Sequence, residues 1–217
     1  NKTAVIFLTN KQNVGFKPDS TSYYSPYSCC GEICELVWNI FGTEAPAETL
    51  ADKIGMLATV MNALAVSDKL EQLGVPTEVF TSITMPQVAP AFTRKEALHA
   101  MEEGKIAIFG GGTGNPFFST DTTTALRAVE VSADIMFKAT MVDGVYDKDP
   151  HKYPDAKKYE TLTFTKVLED RLAVMDGTAA TLCRDNKLPI LVFDLADPDN
   201  IARAVQGENV GTLVYEG

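Results

Sequence analysis

Residues 105–140, KIAIFGGGTGNPFFSTDTTTALRAVEVSADIMFKAT, decide the fold. KIAIF (105–109) is a short, nearly continuous apolar run, the mark of a strand covered on both faces. The glycine-rich segment Gly110–Asp121 breaks it, and a helix follows from about Thr120 to Ser132. ADIMFKAT (133–140) then reads as a second strand. A helix of that length between two strands makes a crossover connection, so the strands run parallel.

The alternation continues in both directions. Upstream, TEVFTS (77–82) predicts a strand and RKEALHAMEE (94–103) an amphipathic helix. Residues 49–74 predict a long helix with Ile54, Met56, Leu57, Val60, Met61, Leu64 and Val66 on nearly every side, so burial on more than one face is expected. Downstream, helices are expected near 164–171 and 177–186, a strand at PILVFDL (189–195), a helix at 198–207 and a strand at GTLVYE (211–216). The fold class is therefore α/β, a mainly parallel sheet with helices on both faces. Neither an internal repeat nor a linker interrupts the chain, and residues 1–217 read as a single domain. The first fifty residues are unlike the rest. KTAVIFLT (2–9) has strand character, but residues 11–30 follow neither period, and no arginine precedes Arg94.

Composition narrows the function. The formal net charge of −10 argues against nucleic acid or an anionic membrane as partner, since both demand a basic face. No apolar run is expected to reach the ~20 residues of a membrane span, and no signal-peptide pattern opens the sequence, so a cytoplasmic protein is expected. Cys29, Cys30 and Cys34 cluster while Cys183 stands apart. Neither His99 nor His151 lies near the cluster at zinc-ligand spacing, so free thiols are expected and no protein-held metal.

Several polar residues could carry chemistry, and each has an ordinary structural reading as well. Gly110–Pro116 ends a strand of a parallel sheet, where ligands bind, and glycines there let backbone N–H groups close on an anion. It could equally be a tight strand-to-helix turn. It is neither a Walker loop nor a dinucleotide fingerprint. Asp121 suits the first turn of a helix by its charge alone, or could hold a lysine over transferring phosphates. Lys138 within a strand is costly to bury unless it meets an anion or a carboxylate. Tyr146 and Asp149 could receive a base and ribose hydroxyls, or lie in a surface loop. Asp52 stands three residues after Thr49, the spacing of a helix capping box.

Taken together, DKIGMLATVMNALA (52–65), GGTGNPFFSTDTTTALRAVE (111–130), KATMVDGVYDKDP (138–150), VMDGTAATLCRDNKLPI (174–190) and GTLV (211–214) resemble the bacterial uridylate (UMP) kinases of the amino-acid kinase superfamily. The resemblance covers about residues 51–215. It implies a three-layer α/β sandwich, phosphoryl transfer from ATP with Mg²⁺ to UMP, and a cytoplasmic homohexamer. It places UMP on Asp52, Thr113, Gly114, Asn115, Pro116, Phe117, Phe118, Ser119 and Thr120. It makes Asp121 and Lys138 catalytic, assigns ATP to Thr140, Tyr146 and Asp149, and gives Asp176 a supporting place in the pocket. Before residue 51 the chain departs from the pattern. The family's Lys-Leu-Ser-Gly phosphate loop is replaced by Thr9-Asn10-Lys11 after Val5-Ile6-Phe7-Leu8. Its second glycine-rich loop, which carries an arginine, is replaced by Leu36-Val37-Trp38-Asn39-Ile40-Phe41-Gly42. A nucleotide-binding subunit without activity is the alternative that these departures raise.

Overall fold

The computed structural model describes residues 48–216 except His151, Arg171 and Ala173. The candidate strand at 2–9 and the aperiodic stretch 11–30 lie outside the described residues.

The chain enters on α1 (Glu48–Gln72) and passes to β1 (Thr77–Thr81), α2 (Arg94–Glu102) and β2 (Ile106–Gly110). Gly74, with φ of +79°, ends α1. Its N–H reaches the Glu71 carbonyl and that of Val75 the Leu70 carbonyl, which satisfies the last turn and explains the stop. β1 and β2 pair in parallel, Val79 opposite Ile108. The pair is covered on both sides. Phe80 and Ala107 face Ala97 and Ala100 of α2, while Val79 and Ile108 face Ala63 and Leu64 of α1.

After β2 come α3 (Thr120–Glu130), β3 (Met136–Thr140), β4 (Thr161–Thr163), α4 (Phe164–Glu169), α5 (Gly177–Asp185), β5 (Ile190–Asp194), α6 (Asp199–Val205) and β6 (Thr212–Tyr215). β3, β5, β6 and β4 form a sheet in that order. β3–β5 and β4–β6 are parallel and β5–β6 antiparallel. Alternate residues go to opposite faces. Met136, Ile190, Val192 and Val214 meet α3, α4 and α5 through Ala125, Ala128, Phe164, Ala179 and Cys183. Phe137, Leu191 and Phe193 meet Ala204 and Ile201 of α6. These are the three layers of the sandwich.

Three expectations need correction. α3 stops at Glu130, because Ser132 turns to φ of +58°, and β3 starts only at Met136. α1 is buried on fewer sides than its sequence suggests. Val60 and Ala63 are buried, but Leu50, Leu57 and Met61 are exposed. Its segment Thr49–Gln72 is also long and apolar enough, by length and composition, to cross a membrane, contrary to the expectation of no such run. Here its buried face covers β1 and β2.

Candidate active site

β2 ends at Gly110 against α1, where a Cβ on residue 110 would come within 2.9 Å of the Val60 Cα. Only glycine lets the helix sit so close. Gly111, Gly112 and Gly114 follow at φ of +84°, +60° and +81°. At Gly114 a side chain would in addition meet the Ser82 carbonyl oxygen at 2.9 Å. The glycine cluster is thus a wound loop seated on the end of β1. Two side chains hold it by polar contacts. Thr59 Oγ1 on α1 accepts from the Gly111 N–H at 2.9 Å, and Ser82 Oγ donates to the Gly112 carbonyl at 2.6 Å.

Asp52 does not cap a helix. Thr49 lies inside α1, and the Asp52 carboxylate accepts from the Phe117 N–H at 2.6 Å. Phe117 adopts φ of +70°, which a bulky residue rarely holds without a functional or packing constraint. Phe117 is 67% exposed and Phe118 53%. Within 113–120, Thr113 Oγ1 accepts from the Asn115 N–H, and Ser119 caps α3 through the Thr122 N–H. Asp52 and residues 113–120, grouped by sequence, are therefore joined in space.

Asp121 and Lys138 are each 5% exposed, and the Lys138 ammonium donates to the Asp121 carboxylate. The register explains the meeting. Lys138 shares a strand face with Met136, which is the face that α3 covers, and Asp121 is in the first turn of α3. A buried ion pair is a weak source of stability, which makes this pair a candidate for the site.

Asp176 ties the starts of two helices together. It caps α5 by accepting from the Ala179 N–H at 3.0 Å, and it accepts from Ser119 Oγ and, at 2.9 Å, from Thr122 Oγ1 of α3. Burial pushes its carboxyl up, but the hydrogen bonds from Ser119, Ala179 and Thr122 outweigh this and hold it below the usual carboxylate range.

The remaining candidates follow β3. Thr140 ends the strand beside Asp194 of β5. The Tyr146 hydroxyl donates to Asp143 at 2.6 Å, a carboxylate that also accepts from Lys158 at 3.0 Å. The hydrogen bond to Asp143 raises the Tyr146 hydroxyl and lowers the Asp143 carboxyl. Asp149 pairs with Lys152 at 3.4 Å.

The sequence and the fold are matched beyond this chain. Residues 11–194 match the sequence model of the amino acid kinase family. The chain belongs to the amino acid kinase family. The match begins well before residue 51, so the kinship takes in most of the stretch that departs from the motifs. Among solved structures, the UMP kinase of Ureaplasma parvum is similar with a TM-score of 0.76 and 35% identity, over 83% of this chain and 76% of that one. The UMP kinase of Bacillus anthracis is similar with a TM-score of 0.76 and 36% identity, over 83% of this chain and 74% of that one. The chain is accordingly a phosphotransferase of the amino acid kinase fold.

Within this family member, Cys183 of α5 is fully buried beside the site. Burial first, then the Asp176 and Asp121 charges, push its thiol up to about 12. Iodoacetamide at pH 8 should leave Cys183 untouched in the native protein and modify it after unfolding, as read by peptide mapping. Labelling of the native protein at the unfolded rate would refute this placement. Cys29, Cys30 and Cys34 lie outside the described residues. Thr59 and Ser82 hold the loop but were not legible as site residues, because a lone Thr or Ser gives no motif; Asp143 stood out only as a turn residue.

Proposed function

We propose that this protein transfers the γ-phosphoryl group of ATP to UMP, giving UDP in pyrimidine nucleotide synthesis. The observation that carries the reading is the buried Lys138–Asp121 pair at the start of the helix that follows a glycine loop clamped by Asp52. A phosphate oxygen of UMP attacks the γ-phosphorus and ADP leaves, so the protein's work is to position and to neutralise charge. Asp121 fixes the Lys138 ammonium toward the transferred group. Asp52 and residues 113–120 receive UMP, Thr140, Tyr146 and Asp149 receive ATP, and Asp176 keeps the starts of α3 and α5 in register.

Among the described residues no group of three His, Cys, Asp or Glu side chains converges. Asp121 and Asp176 already accept from Lys138 and from Ser119 and Thr122. Mg²⁺ carried in on the ATP phosphates would supply neutralisation of the transferred charge. A cytoplasmic homohexamer belongs to the same proposal, and the exposed Leu50, Leu57 and Met61 give α1 an apolar face for a second copy. The second reading, a nucleotide-binding subunit without activity, draws on the departures before residue 51, and a coupled assay with UMP, CMP and ATP separates the two.

The acceptor assignment has a direct test. UMP should raise the melting temperature more than CMP or AMP, because a fixed loop reads one base edge. Equal stabilisation by UMP and AMP would overturn it.

A further inference from the structure

We propose that Arg127 is a positioning residue for the glycine loop, acting through the Ser82 hydroxyl, and that this relay sets the hold on the acceptor nucleotide; the second half rests on the acceptor assignment above. Arg127 is on α3 and only 6% exposed. Its Nη2 donates to Ser82 Oγ at 2.9 Å, and Ser82 Oγ donates to the Gly112 carbonyl at 2.6 Å. A hydroxyl has a single proton to give. With that proton on the Gly112 carbonyl and a lone pair filled by the guanidinium, the direction of the relay is fixed from Arg127 to Ser82 to Gly112. A cation that polarises the hydroxyl strengthens the second bond. The Gly112 carbonyl is thereby committed to Ser82, and its oxygen is kept from facing an incoming phosphate. The Ser82 N–H also binds the Gly110 carbonyl at 3.0 Å, so one residue grips the loop at two points.

The rest of the environment fixes the guanidinium without explaining it by stability. Phe92 lies under it, 3.9 Å from ring centroid to guanidinium carbon, and Glu130 balances its charge. Its Nε finds no partner among the described residues. An unmet buried donor is a cost, and apolar side chains often replace buried ion pairs with no loss of stability. Glu130 is partly exposed and can be solvated alone.

The test uses the full chain with Arg127→Met, Ser82→Ala and the double variant. Hydrogen exchange over Gly111–Gly114 is read in the free protein, and calorimetry gives the affinities for UMP and ATP. Loss of one charge-assisted hydrogen bond should speed exchange and weaken UMP by about tenfold or more in each single variant. The double variant should add little, and ATP affinity and the melting temperature should hold. Unchanged exchange at Gly111–Gly114 in Arg127→Met, additive effects of the two changes, or an equal loss of ATP affinity would each overturn the proposal. Ser82→Ala removes only a hydroxyl, so it decides the matter if Arg127→Met does not fold. A loop that loosens as expected in a protein that takes no UMP would leave the relay standing and remove the acceptor assignment.

Discussion

The full chain should turn over ATP in the presence of UMP orders of magnitude more slowly than the roughly 1–100 s⁻¹ usual for kinases. The loop proposed to receive the acceptor is held by Asp52, Thr59 and Ser82. The donor side departs from the pattern of the family that the sequence resembles. Where that pattern has a lysine, an arginine and glycine-rich phosphate loops, this chain reads Thr9-Asn10-Lys11 and Leu36–Gly42. One preorganised donor to developing charge is worth about 10²–10³ in rate, and a cationic finger on phosphoryl groups about 10³–10⁵. A coupled assay that returns an ordinary kinase rate would overturn the expectation. It would also place Lys11, or another residue before 51, on the donor phosphates.

The second large effect is expected at Asp121. On charge alone, an acid in the first turn of a helix is worth about 0.3–1 kcal/mol. The structure makes the case different, because Asp121→Asn removes the carboxylate charge that the buried Lys138 ammonium meets. Breaking one partner of such a pair costs about 3–5 kcal/mol. Denaturant unfolding should show that loss, whereas the double change Asp121→Asn with Lys138→Met should recover much of it. Turnover should not recover in the double variant, since the ammonium itself is gone. In Asp121→Asn, kcat should fall far more than KM rises. A stability loss of less than about 1 kcal/mol would show that the pair is no more than a helix-end charge.

The strands and helices were legible because their periods are clean. Residues 190–193 of PILVFDL are buried on both faces and read as such, while KIAIF is covered on both faces with only Ala107 fully buried. The helix between β5 and β6 nevertheless joins antiparallel strands. β4 escaped notice, because Thr161–Thr163 is a short polar-apolar-polar run that gains strand form only by pairing with Leu213–Tyr215. The meeting of Lys138 with Asp121 was foreshadowed by the cost of burying a lysine. The local spacing of Asp52 suggests a helix cap, and the structure gives the carboxylate another partner. Its partner is the Phe117 amide, 65 residues away, and no local pattern reports a contact of that kind. Arg127 was hidden for the same reason, since an arginine on a helix reads as a solvated charge until Phe92 and Ser82 are folded against it.

The place of β6 bears on how the protein comes off the ribosome. It is the latest of the described strands in the chain, yet it lies inside the four-stranded sheet, between β5 and β4. Until Thr212–Tyr215 has left the exit tunnel, β4 waits without a neighbour and β5 keeps one edge open. The two-stranded unit with α1 and α2 faces no such delay, for its partners are close in sequence. Synthesis therefore passes through a stage in which β1 and β2 are paired while β4 and β5 hold open strand edges. Such edges are the part of a nascent chain most prone to pair wrongly.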